Sequence, residues 1–222
     1  MKKIDDKLAI DVEAMTKALL ATKMPRKVFK MPCTNAQAFA LLLSAYKAEV
    51  IHRGREFAYD DATKENIKAL ADYLTGDSKK FGFMLLGNYG NGKTTLLYAF
   101  QNLLNYFARN DYIDREFGMR IVDAKEVIAI ARDETYKQME IVKKSPMLAI
   151  EDLGRENTEI LDYGNGYSPV IDILEYRYKE QLFTAFTSNL TLEMLTAKYG
   201  KRVADRLREM FTTIVFKNVS YR

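Results

Sequence analysis

Residues 87–95 combine glycines, a lysine and threonines at a spacing that suits phosphate binding. The segment reads GNYGNGKTT and fits the pattern G-x-x-x-x-G-K-[ST]. Glycines let the backbone fold tightly, so that successive N–H groups can point at phosphate oxygens. In this pattern Lys93 can reach the β- and γ-phosphates, and the Thr94 hydroxyl can bind Mg²⁺. The predicted residues of this nucleoside triphosphate site are Gly87, Asn88, Gly90, Asn91, Gly92, Lys93, Thr94 and Thr95.

Two adjacent carboxylates, Glu151 and Asp152, follow the apolar run MLAI at 147–150. A P-loop needs a carboxylate on a neighbouring strand to hold Mg²⁺ through its water shell. The apolar run predicts a buried strand that places both acids at its ligand-facing end. Two adjacent acids can divide the work, because one can serve the metal while the other orients or deprotonates the attacking water. We expect Glu151, with Thr94, to serve the metal and Asp152 to serve the water.

A further apolar run, at 183–188, ends in polar and uncharged residues. If this strand lies between the P-loop strand and the strand of the two acids, Asn189 or Ser188 would lie near the γ-phosphate and could position water. Taken alone, the same residues would form only a helix-capping turn. The prediction for Asn189 therefore depends on the order of the strands.

Strands and helices alternate along most of the chain. Short apolar or β-prone runs occupy 81–86, 119–122, 147–150, 183–188 and 213–216. Helical patterns lie between them at 93–109, 124–142, 169–181 and 191–210. Strands that are apolar throughout and alternate with helices indicate an α/β fold with a parallel five-stranded sheet covered on both faces. Ligands of such sheets bind beyond the carboxyl ends of the strands, where the motifs above are predicted to lie.

The first 59 residues differ from the rest in charge. They carry 11 Lys/Arg and 6 Asp/Glu, a net charge of +5, whereas residues 60–222 carry 23 and 24, a net charge of −1. The basic stretch 21–32 suits an acidic partner or nucleic acid, and a solvated arm explains it equally well. We predict a short basic helical N-terminal region at 1–59, which binds a partner, and an ATP-binding domain at 60–222. Further helical patterns lie at 8–22, 35–52 and 61–74, the last with Asp61 or Thr63 as its N-cap.

Composition excludes several classes of protein. One cysteine and one histidine rule out a disulfide framework and a Cys/His zinc cluster within one chain. No apolar run approaches the roughly 18 to 20 residues that cross a bilayer. The first 15 residues place acids where a signal peptide needs an apolar stretch. We therefore expect a cytoplasmic protein with no membrane partner.

Taken together, these motifs resemble the DnaC/DnaI-type helicase loaders and the related IstB transposition ATPases, both in the AAA+ class of P-loop ATPases. The similarity runs from about residue 57 to the C-terminus. It includes GNYGNGKTT, MLAIEDLG, YGNGYSPVIDILEYRY, TSNLTLEML, YGKRVADRLREM and FKNVSYR. The resemblance implies an AAA+ fold of the ASCE type and an ATPase that uses ATP and Mg²⁺. It also implies that ATP switches assembly of the chain on a replicative helicase or a transposase. Two further expectations are weak binding of single-stranded DNA and formation of a homo-oligomer when ATP or DNA is bound.

The resemblance implies roles for single residues by their positions. Lys93 and Thr94 match the Walker A motif, and Glu151 and Asp152 match the Walker B pair. Asn189 matches the sensor-1 position. The implied catalytic residues therefore include both acids and Asn189.

Four arginines also match positions of the family. Arg206 matches the arginine finger, a further implied catalytic residue that acts on the ATP of a neighbouring subunit, and Arg202 is the alternative. Their i, i+4 spacing places both on one helical face, which would otherwise be a solvated basic face. Arg222 matches a sensor-2-like arginine that binds the nucleotide. Arg177 is a candidate for a contact with a neighbouring subunit.

The order of the two acids departs from the family, which usually has Asp followed by Asp or Glu. The longer Glu151 must fit the water shell of the metal, and the shorter Asp152 has less reach to an attacking water. We therefore expect slow hydrolysis. Exchanging the two residues is expected to raise turnover.

Three other functions remain open on the sequence. The first is a transposition helper of the IstB type, which shares the core motifs. The second is a P-loop kinase for a small molecule, which the finger-like segment DRLR in residues 191–222 disfavours. The third is a nucleotide-gated binding protein with negligible hydrolysis. Mixed charges in residues 124–145 do not define a DNA groove.

Overall fold

The computed structural model describes residues 11–22, 28–132, 136–156, 160–162 and 165–221. The helices are α1 (Val12–Thr22), α2 (Asn35–His52), α3 (Asp61–Thr75), α4 (Lys93–Arg109), α5 (Ala124–Arg132), α6 (Tyr136–Lys144), α7 (Pro169–Glu180), α8 (Leu192–Tyr199) and α9 (Lys201–Met210), with a 3-10 turn at Arg115–Phe117. The strands are β1 (Gly82–Gly87), β2 (Met119–Asp123), β3 (Met147–Glu151), β4 (Ile160–Asp162), β5 (Asn165–Tyr167), β6 (Phe183–Ser188) and β7 (Phe211–Phe216).

Five of these strands form one parallel sheet in the order β2-β3-β6-β1-β7. The predicted α/β fold with a parallel five-stranded sheet is confirmed. Strand β6 lies between β1 and β3, which is the order that the prediction for Asn189 requires. The carboxyl ends of β1, β3 and β6 therefore meet at one edge of the sheet, where the P-loop, the two acids and Asn189 follow them.

Side chains of β1 alternate between two hydrophobic cores, one on each face of the sheet. Phe83 and Leu85 pack in the first core with residues of α2, α3 and α4. Met84 and Leu86 pack in the second core with residues of α5, α7 and α9. Successive side chains of a strand point to opposite faces, so a strand covered on both sides is apolar at every position. This explains the uninterrupted apolar run before the P-loop.

The helices differ from the predictions at three places. The predicted helix 124–142 is divided into α5 and α6, and the described residues omit 133–135. The predicted helix 191–210 is divided into α8 and α9 by Gly200, whose φ of 85° ends a helix readily. The N-cap of α3 is Asp60, whose side chain accepts from the backbone N–H of Thr63 at 2.7 Å, so the predicted caps Asp61 and Thr63 were wrong.

The N-terminal part of the described chain packs on the first core. Leu42 and Tyr46 of α2 are buried there, against α3 and α4. Lys30, in the predicted basic stretch 21–32, donates a hydrogen bond to the carbonyl oxygen of Tyr73 at 2.9 Å. The other basic residues of this stretch, at 23–27, lie outside the described residues. The division of the chain at residue 59 stays a prediction. None of the described helices is long and apolar enough to span a membrane.

Candidate nucleotide-binding site

The P-loop joins the end of β1 to the start of α4, and its glycines lie in crowded places. The φ angles of Gly87 and Gly92 are 147° and 96°. A Cβ atom at Gly87 would lie 2.5 Å from the carbonyl oxygen of Phe216, and one at Gly92 would lie 2.4 Å from the hydroxyl of Tyr46. Glycine is therefore needed at both positions for backbone angle and for space. The resulting turn brings the first turn of α4, whose N–H groups have no partner within the helix, to the rim of a cavity.

Lys93 connects the P-loop to the end of β6. Its ammonium donates to the carbonyl oxygens of Gly87 (2.7 Å) and Asn88 (2.6 Å) and to the side-chain oxygens of Asn91 (3.1 Å) and Asn189 (3.0 Å). The Lys93 side chain is almost fully buried. The structure thus brings the lysine of the first motif together with Asn189, as the sequence predicts.

Glu151 lies at the end of β3 and contacts two side chains of α4. The Thr94 hydroxyl donates to Oε1 at 2.7 Å, and the Tyr98 hydroxyl donates to Oε2 at 3.3 Å. Burial and, next, the Glu151 carboxylate raise the pKa of Tyr98, so that its hydroxyl remains a proton donor. Hydroxyl and carboxylate oxygens are the ligands that Mg²⁺ prefers, so the pair of Thr94 and Glu151 fits this ion.

Helix α2 supplies a second layer of contacts behind this pair. The Arg53 guanidinium lies 5.1 Å from the centroid of the Tyr98 ring, and its Nε donates to Glu49 Oε1 at 2.6 Å. Asn102 of α4 donates to the other oxygen of Glu49 at 3.0 Å. These contacts restrict Tyr98, which in turn holds Glu151. A helix of the predicted N-terminal region therefore contributes to the site.

Asp152 lies one residue beyond β3, in a left-handed backbone conformation with φ of 54°. Its N–H donates to the hydroxyl of Thr187 at 2.9 Å. Oδ1 accepts from the Asn189 amide at 3.3 Å, and Oδ2 forms an ion pair with Arg155 Nη1. Ser188 is fully buried, and its hydroxyl donates to the Leu153 carbonyl oxygen at 2.6 Å. Of the two candidates for positioning water, Asn189 therefore lies at the site.

These residues line one side of a cavity of about 1030 Å³. Its lining includes the P-loop residues 89–95 with Glu151, Asp152 and Asn189. The lining also includes residues that sequence reasoning missed, among them Tyr46, Arg53, Phe57, Thr63, Arg155 and Tyr221. The cavity is large enough for a nucleotide, since ligand pockets commonly measure about 300 to 1,000 Å³.

Comparison with solved structures shows which fold the chain has. No family model matches the sequence, and no curated protein matches it either. The chain is similar to the crystal structure of DnaI, with 25% identity and a TM-score of 0.55 over 75% of this chain and 88% of that chain. A DnaC helicase loader has 23% identity and a TM-score of 0.54, with 73% of this chain and 94% of that chain covered. The fold is that of the P-loop AAA+ proteins.

A replication initiator, DnaA bound to AMPPCP and single-stranded DNA, has the same fold. It is 16% identical with a TM-score of 0.53, and 73% of this chain and 49% of that chain are covered. The resemblance to DnaC/DnaI-type loaders that the sequence motifs predict is thus confirmed at the level of structure. The assignment of Walker A, Walker B and sensor 1 to the residues that follow β1, β3 and β6 stays a prediction.

The last described residues cross the P-loop of this AAA+ fold. The N–H of Tyr221 donates to the Gly90 carbonyl oxygen at 2.9 Å, and the Asn218 amide donates to the Asn91 carbonyl oxygen at 2.9 Å. The Tyr221 hydroxyl donates to Asp60 Oδ2 at 2.8 Å. The predicted sensor-2-like arginine, Arg222, lies outside the described residues, so its role stays a prediction.

The two candidate finger arginines lie on α9 and pair with Glu175 of α7. Arg206 Nη1 forms an ion pair with Glu175 Oε1 whose geometry is not that of a hydrogen bond, and Arg202 Nε lies 3.4 Å from the same oxygen. The Arg206 guanidinium also lies 5.1 Å from the centroid of the Tyr178 ring. Neither arginine lines the cavity of its own chain. A role at a nucleotide would therefore require the site of another subunit.

Arg177 is buried, and the prediction that it faces a neighbouring subunit was wrong. Its side chain is 0% exposed. The guanidinium donates to the Thr184 hydroxyl at 2.8 Å, to the carbonyl oxygens of Lys143 (3.0 Å) and Ser145 (2.8 Å), and to the carbonyl oxygen of Phe183. Arg177 therefore joins α7 to the end of α6 and the start of β6.

Proposed function

We propose that the chain binds ATP with Mg²⁺, hydrolyses it slowly, and uses ATP to switch its assembly on a replicative helicase and single-stranded DNA. The single observation that carries the proposal is the meeting of three motifs at one edge of the sheet. Thr94 contacts Glu151, and Lys93 contacts Asn189. This arrangement supplies a phosphate-binding cation, oxygen ligands for Mg²⁺ and a polar group for water in one cavity.

Each side chain of the site has a chemical task in this proposal. The N–H groups of the P-loop and the ammonium of Lys93 hold the phosphates. Thr94 and Glu151 would hold Mg²⁺, which would neutralise charge on the transferring phosphoryl group. The amide of Asn189 orients the attacking water, and the Asp152 carboxylate accepts its proton.

The helicase partner is inferred from similarity and needs a direct test. The structures that support it are DnaI and a DnaC helicase loader. Immobilised full-length protein, loaded with ATP or with ADP, is presented with a purified hexameric helicase and, separately, with a transposase. We expect the helicase to bind with ATP and several-fold less with ADP. Capture of the transposase alone would indicate a transposition helper, and capture of neither would contradict the proposed partner.

A separate assay distinguishes an ATPase from a small-molecule kinase. Release of phosphate from ATP in water, with no acceptor molecule present, excludes the kinase.

Replacing Arg206 with alanine is expected to leave nucleotide binding by the isolated subunit unchanged and to abolish the hydrolysis that depends on assembly. A guanidinium that acts on the phosphate of a neighbour contributes about 10³-fold or more to turnover. The measurements are nucleotide affinity at low protein concentration and phosphate release as protein concentration rises. Loss of nucleotide binding by the isolated subunit would count against this role.

Glu175→Gln is the matched control for Arg206→Ala. It removes the ion pair between α7 and α9 and keeps Arg206 itself. A partly exposed ion pair contributes only about 0 to 1 kcal/mol to stability, so neither variant should unfold. If Glu175→Gln abolishes assembly-dependent hydrolysis as fully as Arg206→Ala does, the arginine acts within its own chain by holding α7 and α9 together.

A further inference from the structure

Asp152 has both carboxylate oxygens engaged by side chains of its own subunit. Oδ1 accepts from the amide of Asn189 at 3.3 Å, and Oδ2 pairs with the guanidinium of Arg155. The proton acceptor of the proposed reaction is therefore neutralised by a cation three residues further along the chain.

The backbone that carries Arg155 is fixed on both sides. On one side, the N–H of Leu153 donates to the Thr187 carbonyl oxygen at 2.8 Å. On the other, the buried carboxylate of Glu156 accepts from the Gly154 N–H at 2.9 Å and from the Tyr199 hydroxyl. Because this turn is anchored to both β6 and α8, any movement of the guanidinium must come from the side chain of Arg155 alone.

The Arg155 side chain has room to move, and it has anions within its reach. It is 46% exposed, whereas the Asp152 side chain is 19% exposed. Arg155 lines the same cavity as Lys93 and Thr94. The carboxylate of Asp123, at the end of β2, also acts on the guanidinium electrostatically. A half-exposed cation beside the phosphate-binding loop is well placed to contact a bound nucleotide.

We propose that Arg155 exchanges partners, pairing with Asp152 when no nucleoside triphosphate is bound and with the terminal phosphate when one is. The inference rests on the proposed function and adds to it a positioning residue supplied by the same subunit. The planar fork of arginine matches a carboxylate and a phosphate equally well, and a terminal phosphate carries more negative charge than a carboxylate. The exchange would release Oδ2 of Asp152 from its ion pair when a triphosphate is bound.

Equilibrium binding tests this exchange without relying on hydrolysis. The dissociation constants of a non-hydrolysable ATP analogue and of ADP are measured with Mg²⁺ for the full chain and for Arg155→Ala. We expect the alanine variant to bind the triphosphate analogue about tenfold more weakly, which is the effect of one charge-assisted contact. Its affinity for ADP should change less than about twofold, since ADP lacks the terminal phosphate.

Arg208→Ala is the matched control. Arg208 also pairs with an aspartate three residues away, Asp205, at 2.7 Å, and its side chain is similarly exposed at 50%. It does not line the cavity, so both affinities should stay unchanged. Arg155→Lys keeps the charge without the fork, and we expect an intermediate loss for the triphosphate analogue alone.

Three results would overturn the exchange. They are an equal loss for both nucleotides, no loss for either, and a loss of the same size in Arg208→Ala. Thermal unfolding of each variant shows whether it is folded. If Arg155→Ala is not folded, the affinities of Arg155→Lys for the triphosphate analogue and for ADP are compared instead. If the full chain binds neither nucleotide, the proposed function itself fails. If the full chain binds both nucleotides and the affinities do not depend on Arg155, only the exchange fails.

Discussion

Arg177→Ala is expected to lower the free energy of unfolding by about 3 to 5 kcal/mol, the largest effect on stability that we predict. The substitution removes the donors of a fully buried guanidinium and leaves its acceptors inside the protein. Each buried acceptor that loses its partner costs about 1 to 3 kcal/mol, and the empty volume of the side chain adds a cavity term. Urea denaturation followed by circular dichroism measures the change.

Arg202→Ala serves as the control for Arg177→Ala. Arg202 is 75% exposed, and its ion pair with Glu175 spans 3.4 Å. Its loss should change the free energy of unfolding by no more than about 0.5 kcal/mol. A decrease in the free energy of unfolding of less than about 1 kcal/mol in Arg177→Ala would contradict the structural role of Arg177 and indicate that its side chain lies at the surface.

Exchanging the two acids, by Glu151→Asp with Asp152→Glu, is expected to lower kcat by about 100- to 10,000-fold. The order of acids in the family alone suggests the opposite, but the contacts of Glu151 reverse that expectation. An aspartate at 151 is shorter by one methylene, about 1.5 Å, and would withdraw from both Thr94 and Tyr98. Each lost contact to a charged group costs about 1.5 to 3 kcal/mol, and 1.4 kcal/mol is a factor of ten in rate.

The backbone at 152 opposes the exchange as well. Its φ is 54°, a region where aspartate is much more common than longer side chains. Steady-state phosphate release for the two single variants separates the contributions, and Tyr98→Phe removes only the contact to Oε2. Tyr106→Phe, on the exposed side of the same helix, should leave kcat unchanged. Turnover above that of the parent chain in the double variant would mean that the order of the acids limits hydrolysis, and unchanged turnover would mean that the order is neutral.

The proximity of the motif residues could be predicted because the P-loop, the two acids and Asn189 each follow an apolar run. Lys93, Glu151 and Asn189 follow or terminate such runs, and the carboxyl ends of parallel strands share one edge of a sheet. Tyr46 and Tyr221 could not be predicted in this way, because they reach the cavity from opposite ends of the chain. Their placement depends on how α2 and the last residues pack, and no short pattern in the sequence records that packing.

Two features were available in the sequence and were missed. Arg177 continues the buried face of α7, which includes Val170, Ile173 and Leu174, at the i, i+3, i+4, i+7 spacing of a core-facing stripe. That spacing indicates a buried arginine despite its charge. Gly200 directly follows Tyr199, the last residue of α8. Glycine directly after a helical pattern commonly marks the end of a helix, so this residue indicated that the predicted helix 191–210 is divided.

The crossing of the P-loop by the last described residues has a practical consequence for work with this protein. Tyr221 is hydrogen-bonded to Gly90 and Asp60 and lines the cavity. A fluorophore attached close to Tyr221 would therefore lie beside the cavity. If the label is environment-sensitive, its signal should change when a ligand fills this cavity.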